Sequence, residues 1–113
     1  DIEGIPALLV DLGEADPSQL RGVMDTLKNR VRGGLMLLAA KAKKKITLLV
    51  YVDDALIKRG FKAGDLIRPV ANAVGGGGGG RPNMAQAGGS RPEKLPEAFD
   101  VFRKLVADRA REE

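Results

Sequence analysis

The apolar positions of this chain fall into short unbroken runs separated by longer stretches with a helical period. Residues 5–12 (Ile-Pro-Ala-Leu-Leu-Val-Asp-Leu) are apolar almost throughout and bounded by Gly4 and Gly13, the pattern of a strand buried on both faces. Pro6 belongs at the first position of such a strand or on an edge, because it cannot donate to the ladder. Asp16-Pro17-Ser18-Gln19 then carries every sign of a helix start: an N-cap carboxylate, proline in the first turn and a glutamine that closes a capping box. Leu20, Val23, Met24, Leu27 and Val31 follow at helical spacing, and Gly33-Gly34 supplies a stop, so a helix is expected over 16–32.

The runs 35–40 and 46–52 are too short for helices and rich in Leu, Ile and Val, and the basic segment 41–45 lies between them. They predict a hairpin with a lysine tip. Lysines at such a tip also discourage edge-to-edge association, so their charge has a purely protective reading as well. Asp53-Asp54 reads as a solvated strand terminus. A second helix is expected over 63–74, with Leu66, Val70 and Val74 on one face and Gly75 just past its end. Pro69 should kink that helix or move its start. A third is expected over 94–111, with Leu95, Phe99, Phe102 and Val106 on its inner face. Together these elements predict an α/β (α+β) domain in which three main helices cover a central sheet of about four or five strands. Leu8, Val10, Leu27, Leu37, Leu49, Val70, Phe99 and Phe102 are its expected core.

Length and charge sharpen that picture. With 113 residues, 43% of them hydrophobic and 30% charged, the chain suits one domain, 1–113, with one modest core. It opens on Asp1 and shows no basic-then-apolar leader, which reads as part of a larger chain. Its longest apolar run, 35–40, is far short of the ~20 residues that span a bilayer, so no membrane partner is expected. The net charge of +4 is uneven: residues 1–40 carry four basic and six acidic side chains, and 41–113 carry fifteen and nine. A basic C-terminal part points to a polyanionic partner.

Cysteine and histidine are both absent. That excludes a cysteine nucleophile, a Ser-His-Asp triad, zinc fingers and haem or iron–sulfur ligation, and leaves only oxygen ligands for a metal. The expected reading is a domain without catalytic residues, metal site or cofactor of its own.

The candidate chemistry sits at 75–89, which holds eight of the fifteen glycines. A flexible linker would separate two foldable units, but the ~24 residues after it hold one helix, which must return to the core. A phosphate-binding P-loop would need Gly-Lys-Ser/Thr after a strand, and neither is present. Glycines do permit positive φ and expose backbone N–H groups, so the segment is a candidate nest for phosphate. Arg81 adds a bidentate cation, and Asn83 and Gln86 add neutral donors and acceptors. Met84-Ala85-Gln86-Ala87 alternates in type, as a short strand closing against Gly88-Gly89 would.

The run 76–89 (Gly-Gly-Gly-Gly-Gly-Arg-Pro-Asn-Met-Ala-Gln-Ala-Gly-Gly) closely resembles the signature of the DHHA1 domain, in the version found at the C-terminus of alanyl-tRNA synthetase. Asn83 stands where aspartate is frequent. The layout is similar along essentially the whole chain, including Lys62-Ala63-Gly64-Asp65-Leu66-Ile67 leading into the glycines. The resemblance implies a non-catalytic domain of a cytoplasmic alanine–tRNA ligase that binds the elbow of alanine tRNA and links aminoacylation with editing of mischarged tRNA. Its partners would be that tRNA and the aminoacylation and editing domains of the same chain, with DNA as a further candidate. ATP, magnesium and the editing domain's zinc would belong to those other domains. The alternatives are the nucleic-acid-gripping DHHA1 domain of a DHH-family phosphoesterase, or a DNA-binding derivative. Met84-Ala85-Gln86 after Arg81-Pro82 favours the synthetase version. The expected tRNA contacts are Gly76, Gly77, Gly78, Gly79, Gly80, Arg81, Asn83, Gln86, Gly88, Gly89, Arg91 and Lys94, with Lys41, Lys43, Lys44 and Lys45 as a second, looser set.

Overall fold

The computed structural model describes residues 2–112; Asp1 and Glu113, the two ends of the expected domain, lie outside them. Five strands form one mixed sheet in the order β1-β2-β3-β5-β4. These are β1 (Ala7–Glu14), β2 (Leu35–Ala42), β3 (Lys45–Val52), β4 (Gly77–Gly80) and β5 (Met84–Gly89). The helices are α1 (Pro17–Leu27), α2 (Asp54–Lys58), α3 (Ala63–Ala73) and α4 (Leu95–Arg111). β1 and β2 run parallel, joined through α1; all other pairings are antiparallel.

One face of the sheet is covered by α2, α3 and α4 and the other, over β2 and β3, by α1, and side-chain alternation decides which residues serve which cover. Leu35, Leu37 and Ala39 of β2, with Ile46, Leu48, Val50 and Val52 of β3, meet α2, α3 and α4. Met36, Leu38, Ala40 and Leu49 point the other way, against Leu20 and Met24 of α1. β2 and β3 are therefore buried on both faces, which is why they read as continuous apolar runs.

α1 starts as its sequence dictates. The Asp16 carboxylate accepts from Ser18 N at 3.0 Å, and the Gln19 side chain accepts from Asp16 N at 2.7 Å. The Ser18 backbone N–H, and then its hydroxyl, hold the Asp16 carboxyl below its ordinary value of 3.8. A depressed folded-state value stabilises the fold above the ordinary value, and that support is lost as pH falls through the folded one. Asp16→Ala is thus expected to melt below the parent at neutral pH, with the gap closing as pH drops below 3.8. Thermal melts of both proteins across that range check it; a gap independent of pH would show that the cap is not the cause.

Several expectations need correction. Residues 28–31 form a 3₁₀ turn rather than the last turn of the first helix, so the helix stops at Leu27 and Leu27 is only half-buried. Gly33, at φ 76°, then releases the chain. β1 is an edge strand, not a doubly buried one, and Leu8 and Val10 are half-buried against the α1 side. Pro6 precedes that strand, and its carbonyl accepts from Leu35 N at 3.0 Å. Asp53 is no solvated terminus: it caps α2, a helix too short to announce itself in the periodicity, accepting from Ala55 N at 3.4 Å and from Gly33 N at 3.1 Å. Pro69 lies inside α3 without moving its start from Ala63, and Gly75 follows it at φ 70° as expected. On α4 the inner positions are Leu95, Ala98, Phe102 and Val106; Phe99 is half-buried, with the Arg103 guanidinium 6.0 Å from its ring centre.

Candidate nucleic-acid interface

The glycine segment is neither a loop nor a nest. None of Gly76–Gly80 has positive φ; residues 77–80 form the edge strand β4, paired Gly77↔Gly88, Gly78↔Ala87, Gly79↔Gln86 and Gly80↔Ala85. What these glycines supply is closeness. A Cβ on Gly78 would stand 2.5 Å from Cα and Cβ of Ala87, and one on Gly80 2.6 Å from Cα of Ala85. One on Gly76 would run into the Gly88 carbonyl. A Cβ on Gly77 or Gly79 would meet nothing within 4 Å.

That alternation maps onto the sheet. α3 packs over β3, β4 and β5 on one side, taking Ala85 and Ala87 into the core. Gly64 of α3 lets the helix come close: a Cβ there would be 2.9 Å from the Gly80 carbonyl. On the other side α1 packs over β2 and β3, so the outer half of the sheet has no helix above it. Gly77, Gly79, Gly88, Gln86 and Thr47 form an open shelf there, nearly free of side chains. Next to it, Arg21 from α1 and Arg81 flank a concavity of about 340 Å³ that also includes Gly79, Gly80, Asn83 and Gln86.

The Arg81–Asn83 turn is fixed by main chain. Arg81 N–H donates to Met84 O at 2.9 Å, Pro82 O accepts from Ala63 N at 2.8 Å and Asn83 O accepts from Val52 N at 2.9 Å. The side chains of Arg81 and Asn83 stay exposed. Neither Arg21 nor Arg81 makes an ion pair among the described residues.

The expected contacts therefore divide. Gly77, Gly79, Gly80, Arg81, Asn83, Gln86 and Gly88 come together on or beside the shelf. Gly76 and Gly78 are consumed in the strand pairing, and a Cβ on Gly89 would be 2.5 Å from the Val74 carbonyl. Arg91 and Lys94 follow the far end of β5, Arg91 against Gly75 and Lys94 paired with Glu97 at 3.2 Å. The lysine tip lies at that far end too, since Ile46 pairs with Gly89. Lys41 is drawn to Asp11 at 3.7 Å, whereas Lys43, Lys44 and Lys45 are exposed beside Thr47. Arg21 and Thr47 were not expected. Only the tertiary fold carries them to the shelf, although Arg21 did lie on the polar face of a predicted helix.

The DHHA1 domain family matches residues 4–108 of this chain. The chain belongs to the DHHA1 family. Within it, the likeness is to the C-terminal domain of alanyl-tRNA synthetase. An alanine–tRNA ligase from Idiomarina loihiensis is 49% identical over 99 residues, which cover 88% of this chain. One from Oceanobacillus iheyensis is 39% identical over 108 residues, covering 96%. The chain spans only 11% and 12% of the length of these two relatives. The crystal structure of the C-Ala domain of Aquifex aeolicus alanyl-tRNA synthetase superposes with a TM-score of 0.86 at 29% identity, covering 95% of this chain and 96% of that one. Among the described residues of this DHHA1 domain, no three His, Cys, Asp or Glu side chains converge as metal ligands would, and no helix is long and apolar enough to cross a membrane.

Proposed function

We propose that residues 1–113 form one tRNA-binding domain of an alanine–tRNA ligase, acting in the cytoplasm without a cofactor of its own. The observation that supports this best is the open glycine shelf beside a concavity flanked by Arg21 and Arg81, two arginines without an ion pair among the described residues, in a chain so like that ligase's C-terminal domain. A surface without side chains admits a ribose–phosphate backbone to van der Waals contact, while Arg21 and Arg81 hold phosphates beside it. Such contacts position RNA without reading its sequence, and they suit the folded elbow of tRNA, where shape and 2′-hydroxyls dominate. Gripping the elbow leaves the acceptor end free, so one bound tRNA can visit both the aminoacylation and the editing domains of the same chain.

The test is a gel-shift of the chain against alanine tRNA, a tRNA lacking its folded elbow, and duplex DNA. The first should bind best; equal binding to all three would reduce the domain to a general polyanion binder. Arg81→Ala is expected to weaken tRNA binding by about 1–3 kcal/mol and to lower the slope of log affinity against log salt by about one. Lys44→Ala should lose much less, because an exposed lysine holds its phosphate loosely. Equal losses from the two variants would move the site to the lysine tip.

A further inference from the structure

On the far side of Asn83 from the arginine-flanked concavity lies a second cleft, of about 550 Å³, between the end of α1 and the ends of β3 and β5. Its apolar lining comes from three elements that the fold brings together: Met24 of α1, Tyr51 of β3 and Met84 of β5. Two thioethers and an aromatic ring make a polarisable surface that adapts to a flat ligand. Asn29 and Asn83 line the same cleft with amide donors and acceptors, and Lys28 and Arg32 bring positive charge to it. Arg32 is exposed and makes no ion pair among the described residues. Among the described residues Lys28 pairs with Asp25 alone, at 3.5 Å, and with the two side chains 44% and 64% exposed that contact is a weak one.

The cleft also holds Asp53 and Asp54. Asp53 is committed: besides Gly33 and Ala55, the Tyr51 hydroxyl donates to it at 3.3 Å. Those three donors hold its oxygens in place. Asp54, exposed at the first position of α2, leaves a carboxylate free to accept from an N–H edge.

An apolar seat, amide and carboxylate groups for a hydrogen-bonding edge and a cationic rim are the complement of a nucleotide. A bare anion would leave the apolar seat empty, and an apolar ligand would leave the cations and amides unanswered. The size lies within the roughly 300–1,000 Å³ typical of small-ligand sites. We propose that this cleft takes one unstacked nucleobase with its phosphate, the base on Met24, Tyr51 and Met84 and the phosphate on Lys28 and Arg32. The inference rests on reading the shelf as an RNA surface, because the cleft shares Asn83 and Met84 with the arginine-flanked concavity beside that shelf. A strand crossing the shelf reaches the cleft without leaving the protein.

Amide NMR of the chain titrated with adenosine 5′-monophosphate tests it, with ribose 5-phosphate and inorganic phosphate as controls. Saturable shifts are expected at Asn29, Arg32, Tyr51 and Asn83. Arg32→Ala should weaken the nucleotide about tenfold, as loss of a charge-assisted bond implies, while Lys104→Ala on α4 leaves it unchanged. No saturable shift at millimolar nucleotide, or shifts confined to the lysine tip, would overturn the proposal. So would inorganic phosphate reproducing the shifts and the affinity, since the base would then contribute nothing. Gel-shifts with tRNA on the same samples separate this from the reading of the shelf. A silent nucleotide titration beside Arg81-dependent tRNA binding sinks the cleft alone. A nucleotide in the cleft with no tRNA binding sinks the shelf.

Discussion

Replacing Phe102 by alanine is expected to cost about 3–5 kcal/mol, whereas the same change at Phe99 should cost roughly 1 kcal/mol. Phe102 has 0% exposure and lies in the core between α4 and the sheet's helical cover, so truncation leaves a cavity that a close-packed interior refills only in part. Phe99 faces partly outward under Arg103, where solvent fills what the ring vacates. Against a typical total of about 5–15 kcal/mol, the first change brings the fold close to its limit. Thermal melts should show a fall of about 15 °C or more for Phe102→Ala and a few degrees for Phe99→Ala. The reverse order would mean that α4 is rotated by about one position from the register described.

The second large effect separates two adjacent glycines. Gly78→Val should break up the β4–β5 hairpin, because the new side chain would have to occupy the place of Ala87 Cα and Cβ. The obstruction is partly main chain and cannot swing aside, so the cost lies at or above the upper end of the about 1–3 kcal/mol usual for overpacking. Gly79→Val meets open space in an extended strand, where a β-branched residue is at home, and should melt like the parent. It should nevertheless impair tRNA binding severely, since its methyl groups would stand where the RNA backbone comes down. Melts and gel-shifts on both variants give four outcomes. A Gly79→Val protein that binds tRNA as the parent does removes the shelf from the interface; a Gly78→Val protein that melts as the parent does shows the two strands to be less closely apposed.

The sequence disclosed most where side chains carry a pattern. The capping box at Asp16 and Gln19, the doubly buried runs of β2 and β3, and the glycine closing α3 are all written in local chemistry. The glycine strand was illegible for the opposite reason. Without side chains there is no alternation to read, and its extended conformation is imposed by pairing with β5 and packing under α3, contacts that exist only once the chain has folded. Phe99 against Ala98 was a similar case: periodicity favours the larger residue, but the close approach of α4 to α3 selects the small one. At the candidate interface, Arg81, Asn83 and Gln86 stood out because they interrupt or follow the glycines. Arg21 and Arg32 did not, because an exposed cation on or just after a helix looks the same whether it faces bulk water or a groove.

The two main-chain bonds that tie Pro82 to Ala63 and Asn83 to Val52 have a kinetic and an entropic consequence. A free three-residue turn would surrender about 1–2 kcal/mol per residue in backbone freedom on meeting a ligand; here that freedom is already lost when the chain folds. Arg81 and Asn83 are thus presented on a rigid mount, and encounter with RNA needs only side-chain rotation, which is fast compared with loop ordering. The same two bonds make the Ala63 and Val52 amides reporters of the mount. Their hydrogen exchange should be slow in the free protein and no slower in the complex, because binding has nothing left to order there.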